Sequence, residues 1–152
     1  MHLRHLTPGE PEIILQVASR MRSTLVEVLG EERGQSLYSL DWLRDRVLFH
    51  IESGRVLLAE DEGELLGHCM LRVEGELGLY ATSYVRPESR RSGVAQALIS
   101  AGEVWLRAQG VRHLATDTAK DNGKLIQLFE ARGFVVVHST EQMLRLQKPL
   151  SL

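Results

Sequence analysis

The apolar positions of this chain run in two periods, about 3.6 residues for helices and 2 for strands, and the switches between them outline the fold. His2 to Leu6 alternates polar and apolar, which predicts a short strand ended by Thr7-Pro8-Gly9. From Glu12 to Leu29 the residues Ile13, Val17, Met21, Leu25 and Val28 recur at helical spacing, and Gly30 is placed to close that helix. Glu31-Glu32-Arg33-Gly34 reads as a polar connection. A second helix, capped by Ser39 or Asp41 and ended by Gly54, carries the stripe Leu43, Val47, Leu48 and Ile51. Period two then returns: Arg55 to Glu60 is a strand, Asp61-Glu62-Gly63-Glu64 a hairpin turn, and Leu65 to Val73 the partner strand. Glu74-Gly75-Glu76 turns again into Leu79 to Val85. Two turns this short predict three consecutive antiparallel strands.

The run ending at Val85 meets Pro87, passes through a polar loop with three arginines, and enters a helix over Gly93 to Gln109 that offers Leu98, Ile99, Val104, Trp105 and Leu106 to the core. Gly110 stops it. Val111 to Thr116 is a strand reached through a helical crossover, so it should run parallel to the strand before the helix. Asp121 or Asn122 caps a short helix that ends at Gly133, and Phe134 to Val137 and Met143 to Leu146 finish the chain as strands. The order β-α-α-β-β-β-α-β-α-β-β contains no linker, repeat or low-complexity stretch, which predicts one α/β domain over residues 1–152.

Composition narrows the function more than the fold. A net charge of −2 gives no global field for holding nucleic acid, so the arginines around Arg90 require a local explanation. The single cysteine, Cys69, has no internal partner, which fits a reducing compartment. It reads as a small buried hydrophobe. The histidines at positions 2, 5, 50, 68, 113 and 138 have no metal-ligand spacing. No apolar run approaches a membrane span, and Met1 to Leu6 lacks the core of a secretory leader. A cytoplasmic protein with no metal, nucleic-acid or membrane partner is the expectation.

Strand, basic loop, helix is an anion-binding layout. The first helical turn presents unpaired N–H groups and the positive end of the dipole. Gly93 lets a ligand approach the backbone, Ala95 keeps the next position small, and Arg90 and Arg91 supply charge that does not titrate. The loop lacks the Lys-Ser/Thr of a P-loop and the glycines of a dinucleotide fingerprint.

The spacing Arg90-x-x-Gly93-x-Ala95, with Val-x-Pro before it and an apolar helix after it, resembles the coenzyme A pyrophosphate loop of the GNAT family of N-acetyltransferases. Asn122 followed by Leu128-Phe129-Glu130-Ala131-Arg132-Gly133-Phe134 resembles a second motif of the same family, in the right order. The resemblance is specific over about residues 78–135. It implies a GNAT fold: a mixed, mostly antiparallel sheet of six or seven strands with helices on both faces, in which the fourth and fifth strands splay apart. It implies acetyl-CoA as cofactor, with the pyrophosphate on Arg90, Arg91, Ser92, Gly93, Val94, Ala95 and Gln96. It also puts Tyr84, Val85, Asn122 and Phe129 against the cofactor, the first three along the pantetheine arm and Phe129 at the position where relatives carry a tyrosine as general acid. The acceptor implied is a primary amine on a small molecule or peptide, and relatives often dimerise, which leaves a homodimer open.

Amide formation needs a proton acceptor for the amine and a donor for the departing sulfur. Where many relatives place a glutamate on the fourth strand, this chain has Leu79, Tyr80, Ala81, Thr82 and Ser83, with no carboxylate. The catalytic candidates are therefore Asp117, at the C-terminal end of the fifth strand, and Tyr84, whose hydroxyl shares a strand face with that of Tyr80. His68 could titrate near neutral pH. The region Arg90 to Ala95 with Glu103-Val104-Trp105 and Thr116-Asp117-Thr118 also resembles aminoglycoside 6′-N-acetyltransferases, which sets aminoglycosides as a specific alternative. Ala81 and Phe129 are the basis of another, a catalytically silent coenzyme A-binding module.

Overall fold

A computed structural model describes residues 1–29 and 39–151, excepting the side chains of 27–29. The expected helix closure at Gly30 and the polar connection at 31–34 lie outside the described residues. The elements run β1 (His2–His5), α1 (Pro11–Leu29), α2 (Leu40–Ser53), β2 (Gly54–Asp61), β3 (Glu64–Glu74), β4 (Leu77–Val85), a single 3₁₀ turn (Pro87–Ser89), α3 (Val94–Ala108), β5 (His113–Ala119), α4 (Gly123–Glu130), β6 (Val135–Ser139) and β7 (Met143–Pro149). Every predicted element is present. Ser39 supplies the cap of α2, its hydroxyl accepting from Trp42 N, and Asn122 supplies that of α4.

The strands form one seven-stranded sheet in the order β1-β2-β3-β4-β5-β7-β6. All neighbours are antiparallel except β4 and β5, which are joined by the α3 crossover and run parallel as expected. The last strand slots between β5 and β6, so β6 becomes the open edge, with all five residues exposed.

Each face of the sheet carries its own core. On one face Leu57, Leu71, Tyr80, Leu98, Ile99, Leu106, Leu114, Phe129, Phe134 and Leu146 pack under α3 and α4. On the other, Leu6, Val56, Leu58, Leu65 and Met70 meet Ile14, Val17, Met21, Leu43 and Val47 of α1 and α2. Burying each of these large side chains contributes roughly 1.5–3 kcal/mol.

Helix α3 is pressed close to the sheet. A Cβ on Gly102 would sit 2.8 Å from Cε1 of Tyr80, so the absence of a side chain sets that approach. The Tyr80 hydroxyl crosses the same interface to donate to Ile99 O at 2.7 Å. This clamp orients the helix whose N-terminus faces the candidate site.

Candidate active site

The parallel pairing of β4 and β5 runs from Leu77 opposite His113 to Tyr80 opposite Thr116 and ends there. Beyond it, β4 continues to Val85 paired only with β3, while Asp117 to Ala119 pair only with β7. The cause is a bulge: Met70 pairs with Thr82 and Leu71 with Tyr80, so Ala81 is the extra residue. A bulge bends its strand and increases the local twist, which carries the end of β4 away from β5. The inner backbone edges of both strands then face a gap where an amide-bearing ligand can pair with them.

The same bulge separates the two tyrosines of β4. Strict alternation would put Tyr80 and Tyr84 on one face, but one inserted residue reverses the face of everything after it. Tyr80 lies in the α3 core, where burial pushes its phenol well up. Tyr84 lies on the α1 side, opposite His68 on β3.

The loop after β4 is braced by its own arginines. Arg86 donates from Nε to Ser89 Oγ at 2.8 Å and from Nη1 to Glu64 at 2.6 Å. Arg90 turns back, its Nε donating to Val85 O at 2.8 Å and its guanidinium 5.8 Å from the centre of the Tyr84 ring. Ser92 donates to the carbonyl of Ser89. Arg91 and Gly93 both have positive φ, 65° and 85°. Such turns fold successive N–H groups into an anion-binding concavity. A Cβ on Gly93 would meet nothing within 4 Å, so glycine is needed here for its φ and the space before the helix end is open. The first backbone bond of α3 runs from Ala97 to Gly93 O, so the amides of Val94, Ala95 and Gln96 belong to the turn whose donors have no intrahelical partner. Val94 is buried as the anchor, while Arg91, Ser92, Gly93 and Gln96 are exposed.

The remaining candidates separate from this cradle. Asn122 spends its side-chain oxygen on Leu125 N at 3.4 Å, capping α4. Phe129 is fully buried between Tyr80 and Phe134, with ring centroids 5.2 and 4.9 Å away, as part of the core under α3 and α4. Asp117 stands opposite Arg145 on β7, and its two carboxylate oxygens accept from Nε and Nη2, each at 2.7 Å. Cys69 is buried beside Ser83, and burial pushes its thiol up to about 12, which removes it as a nucleophile.

His68 does not titrate near neutrality. Burial first, and the charge of Arg20 second, pull its imidazole down from 6.5 to about 3. Between those values the unfolded chain binds a proton that the folded ring refuses, so stability falls as pH drops through that window. The slope from this group is at most about 1.4 kcal/mol per pH unit. Urea titrations at about pH 7 and about pH 5 should show the loss, and His68→Leu should flatten the difference.

Residues 19–134 match the model of the acetyltransferase (GNAT) family. The chain belongs to that family. Among its relatives, this GNAT chain is 33% identical over 97 residues to the aminoglycoside N(6′)-acetyltransferase type 1 of Klebsiella aerogenes, covering 59% of itself and 62% of that enzyme. It is 33% identical over 90 residues to the mycothiol acetyltransferase of Streptomyces coelicolor, covering 58% of itself and 29% of that protein. It thus spans less than two thirds of the length of either. Among solved structures, the PaiA N-acetyltransferase of Thermoplasma acidophilum in complex with coenzyme A shares its fold, with a TM-score of 0.78 over 98% of each chain at 17% identity.

One GNAT-chain residue at this site escaped the sequence reading. Arg20 lies on α1 three residues after Val17 and one before Met21, so it sits inside the apolar stripe, where a charged residue is out of place. Its guanidinium lies 5.6 Å from the centre of the Tyr84 ring. Among the described residues no helix is long and apolar enough to cross a membrane.

Proposed function

We propose that the chain is an acetyl-CoA-dependent N-acetyltransferase that acetylates a primary amine by direct transfer. The observation that carries this reading is the end of β4–β5 pairing at Tyr80 and Thr116, on a strand that leads through one short loop with two positive-φ residues into a helix N-terminus. The amides after Gly93, with Arg91 and the loop held by Arg90, would hold the pyrophosphate. Tyr84, Val85 and Asn122 flank the path of the pantetheine arm. When bound, the cofactor supplies an acetyl thioester: the amine nitrogen forms the new C–N bond, the C–S bond breaks, and sulfur leaves with the proton that nitrogen gives up.

Calorimetric titration with acetyl-CoA tests the reading. Wild type should bind in the micromolar range, and Arg90→Ala should weaken binding about tenfold, the scale of one charge-assisted contact and the loop order it maintains. No binding to folded wild type would sink the proposal. Binding without turnover on any amine would instead support a silent coenzyme A module.

For proton handling we propose Tyr84 and set Asp117 aside. Both carboxylate oxygens of Asp117 already accept from the Arg145 guanidinium, so neither is free to take a proton from the amine. The place of Asp117 is a cross-strand strap between β5 and β7, partly exposed and worth at most about 1 kcal/mol. Asp117→Asn should therefore change the acetylation rate by less than about threefold, whereas Tyr84→Phe should lower it about a hundredfold, the usual scale for a lost proton donor. Steady-state release of the coenzyme A thiol compares the two, and the reverse order would restore Asp117 as the base. The similarity to aminoglycoside N(6′)-acetyltransferases makes aminoglycosides the specific alternative acceptor class.

A further inference from the structure

On the α1 side of the sheet, beside the strand divergence, three side chains from three elements keep buried polar atoms without a hydrogen-bond partner: Arg20 Nη1 on α1, both ring nitrogens of His68 on β3, and Thr82 Oγ1 on β4. They surround one ring. His68 stacks on Tyr84 with centroids 5.8 Å apart, the Arg20 guanidinium lies 5.6 Å from the centre of that ring, and Thr82 precedes Tyr84 by two residues on the same strand face. His50, the other buried histidine among the described residues, makes the contrast plain. Its Nδ1 lies 2.7 Å from Arg46 O and its Nε2 3.2 Å from Arg72 Nη1, so both nitrogens are engaged.

The arginines of comparable exposure also find acids: Arg4 binds Glu10 and Glu60, Arg86 binds Glu64, and Arg145 binds Asp117. Arg20 has no carboxylate within ion-pair distance among the described residues. Buried polar groups left unpaired are destabilising and rare, so three that converge on one ring call for a common partner.

The chemistry of the three defines that partner. Arg20 only donates, the Thr82 hydroxyl can donate, and neutral His68 has one donor and one acceptor nitrogen. An oxygen anion satisfies the donors, and an amine N–H satisfies the His68 acceptor. We propose that this cluster is the acceptor subsite and that the acceptor is an amino carboxylate, its carboxylate on Arg20 and Thr82 and its amine at His68. Arg20 and Thr82, the partly exposed members, mark the side from which it is reached, and His68 lies at the buried end. A guanidinium here also repels polycations, which turns the acceptor preference away from aminoglycosides. The inference rests on the acyl-transfer reading above and names the substrate class of that site.

The test uses matched probes, L-phenylalanine with phenethylamine, L-tyrosine with tyramine and L-methionine with 3-(methylthio)propylamine, beside spermidine and kanamycin. Thiol release should favour the carboxylated member of a pair by at least about tenfold in kcat/KM. Arg20→Met should collapse that ratio through KM, and Arg20→Lys should retain part of it. Coenzyme A affinity of both variants should match wild type, which also reports that they are folded. In histidine-labelled protein without cofactor, the favoured amino carboxylate should shift the His68 ring signals saturably, and its decarboxylated partner should not. Preference for the plain amines or the polycations, a ratio that survives Arg20→Met, or silence toward all three amino carboxylates in both assays would overturn the inference. If wild type fails to bind coenzyme A, the transferase reading falls, and the His68 titration, which needs no cofactor, decides the acceptor inference by itself.

Discussion

Phe129→Ala is expected to cost about 3–5 kcal/mol of stability, the range for removing a fully buried aromatic side chain. The ring is completely enclosed and meets Tyr80 and Phe134 edge to face at 5.2 and 4.9 Å, contacts that add to its area burial. For a domain whose total stability is about 5–15 kcal/mol, the loss is a large fraction. Phe129→Tyr sharpens the point. It installs the tyrosine that the family motif implies at this position, yet the Tyr80 hydroxyl already donates to Ile99 O and the surroundings of Phe129 are apolar. A hydroxyl added there is buried without a partner and overpacks the core, at about 1–3 kcal/mol. Urea unfolding should register both variants as less stable, and acetylation by Phe129→Tyr should be no faster than wild type. A faster and equally stable Phe129→Tyr would show that the ring reaches the reaction centre.

The contrast between Phe129 and Gly93 shows which kinds of information the sequence carries. Gly93 announces its role locally: a proline, three arginines and a glycine before an apolar helix specify a turn with positive φ and an open helix end whatever the rest of the chain does. The hairpin turns and the cap at Asn122 are legible for the same reason, since each depends on neighbours within four residues. Phe129 matches a motif by spacing, but whether its ring faces ligand or core depends on what Tyr80 and Phe134 leave open, and both come from other elements.

Pairing across strands is what the linear pattern could not supply. Nothing near Asp117 reveals that Arg145 stands opposite it, because that requires β7 to slot between β5 and β6 in one particular register. Ala81 carries no mark of a bulge either, since the extra residue exists only relative to β3. That one residue ends the β4–β5 pairing, opens the gap, and sends Tyr80 and Tyr84 to opposite faces. Arg20 was concealed differently. It interrupts an apolar stripe, and only the fold shows that the interruption faces His68 and Tyr84 rather than solvent.

Gly93→Asp should abolish measurable acetyl-CoA binding while leaving the domain folded. The two halves of that outcome have separate causes. Aspartate is among the preferred helix N-cap residues and tolerates the left-handed region better than most, so at φ 85° the strain is on the order of 1 kcal/mol and is partly offset by capping α3. A Cβ at this position meets nothing within 4 Å, so packing adds no further cost. The carboxylate, however, would occupy the space before the helix end and accept the N–H groups that a pyrophosphate needs. A negative charge about 4 Å from a phosphate opposes it by about 4 kcal/mol at the effective dielectric of a protein surface, close to a thousandfold in affinity. Gly93→Ala carries at least as much backbone strain without the charge and should bind far better than Gly93→Asp. Calorimetry on the two variants, with urea unfolding as the control for folding, separates electrostatic exclusion from a distorted loop. Equal loss in both would mean that the shape of the turn, not the open anion site it creates, governs binding.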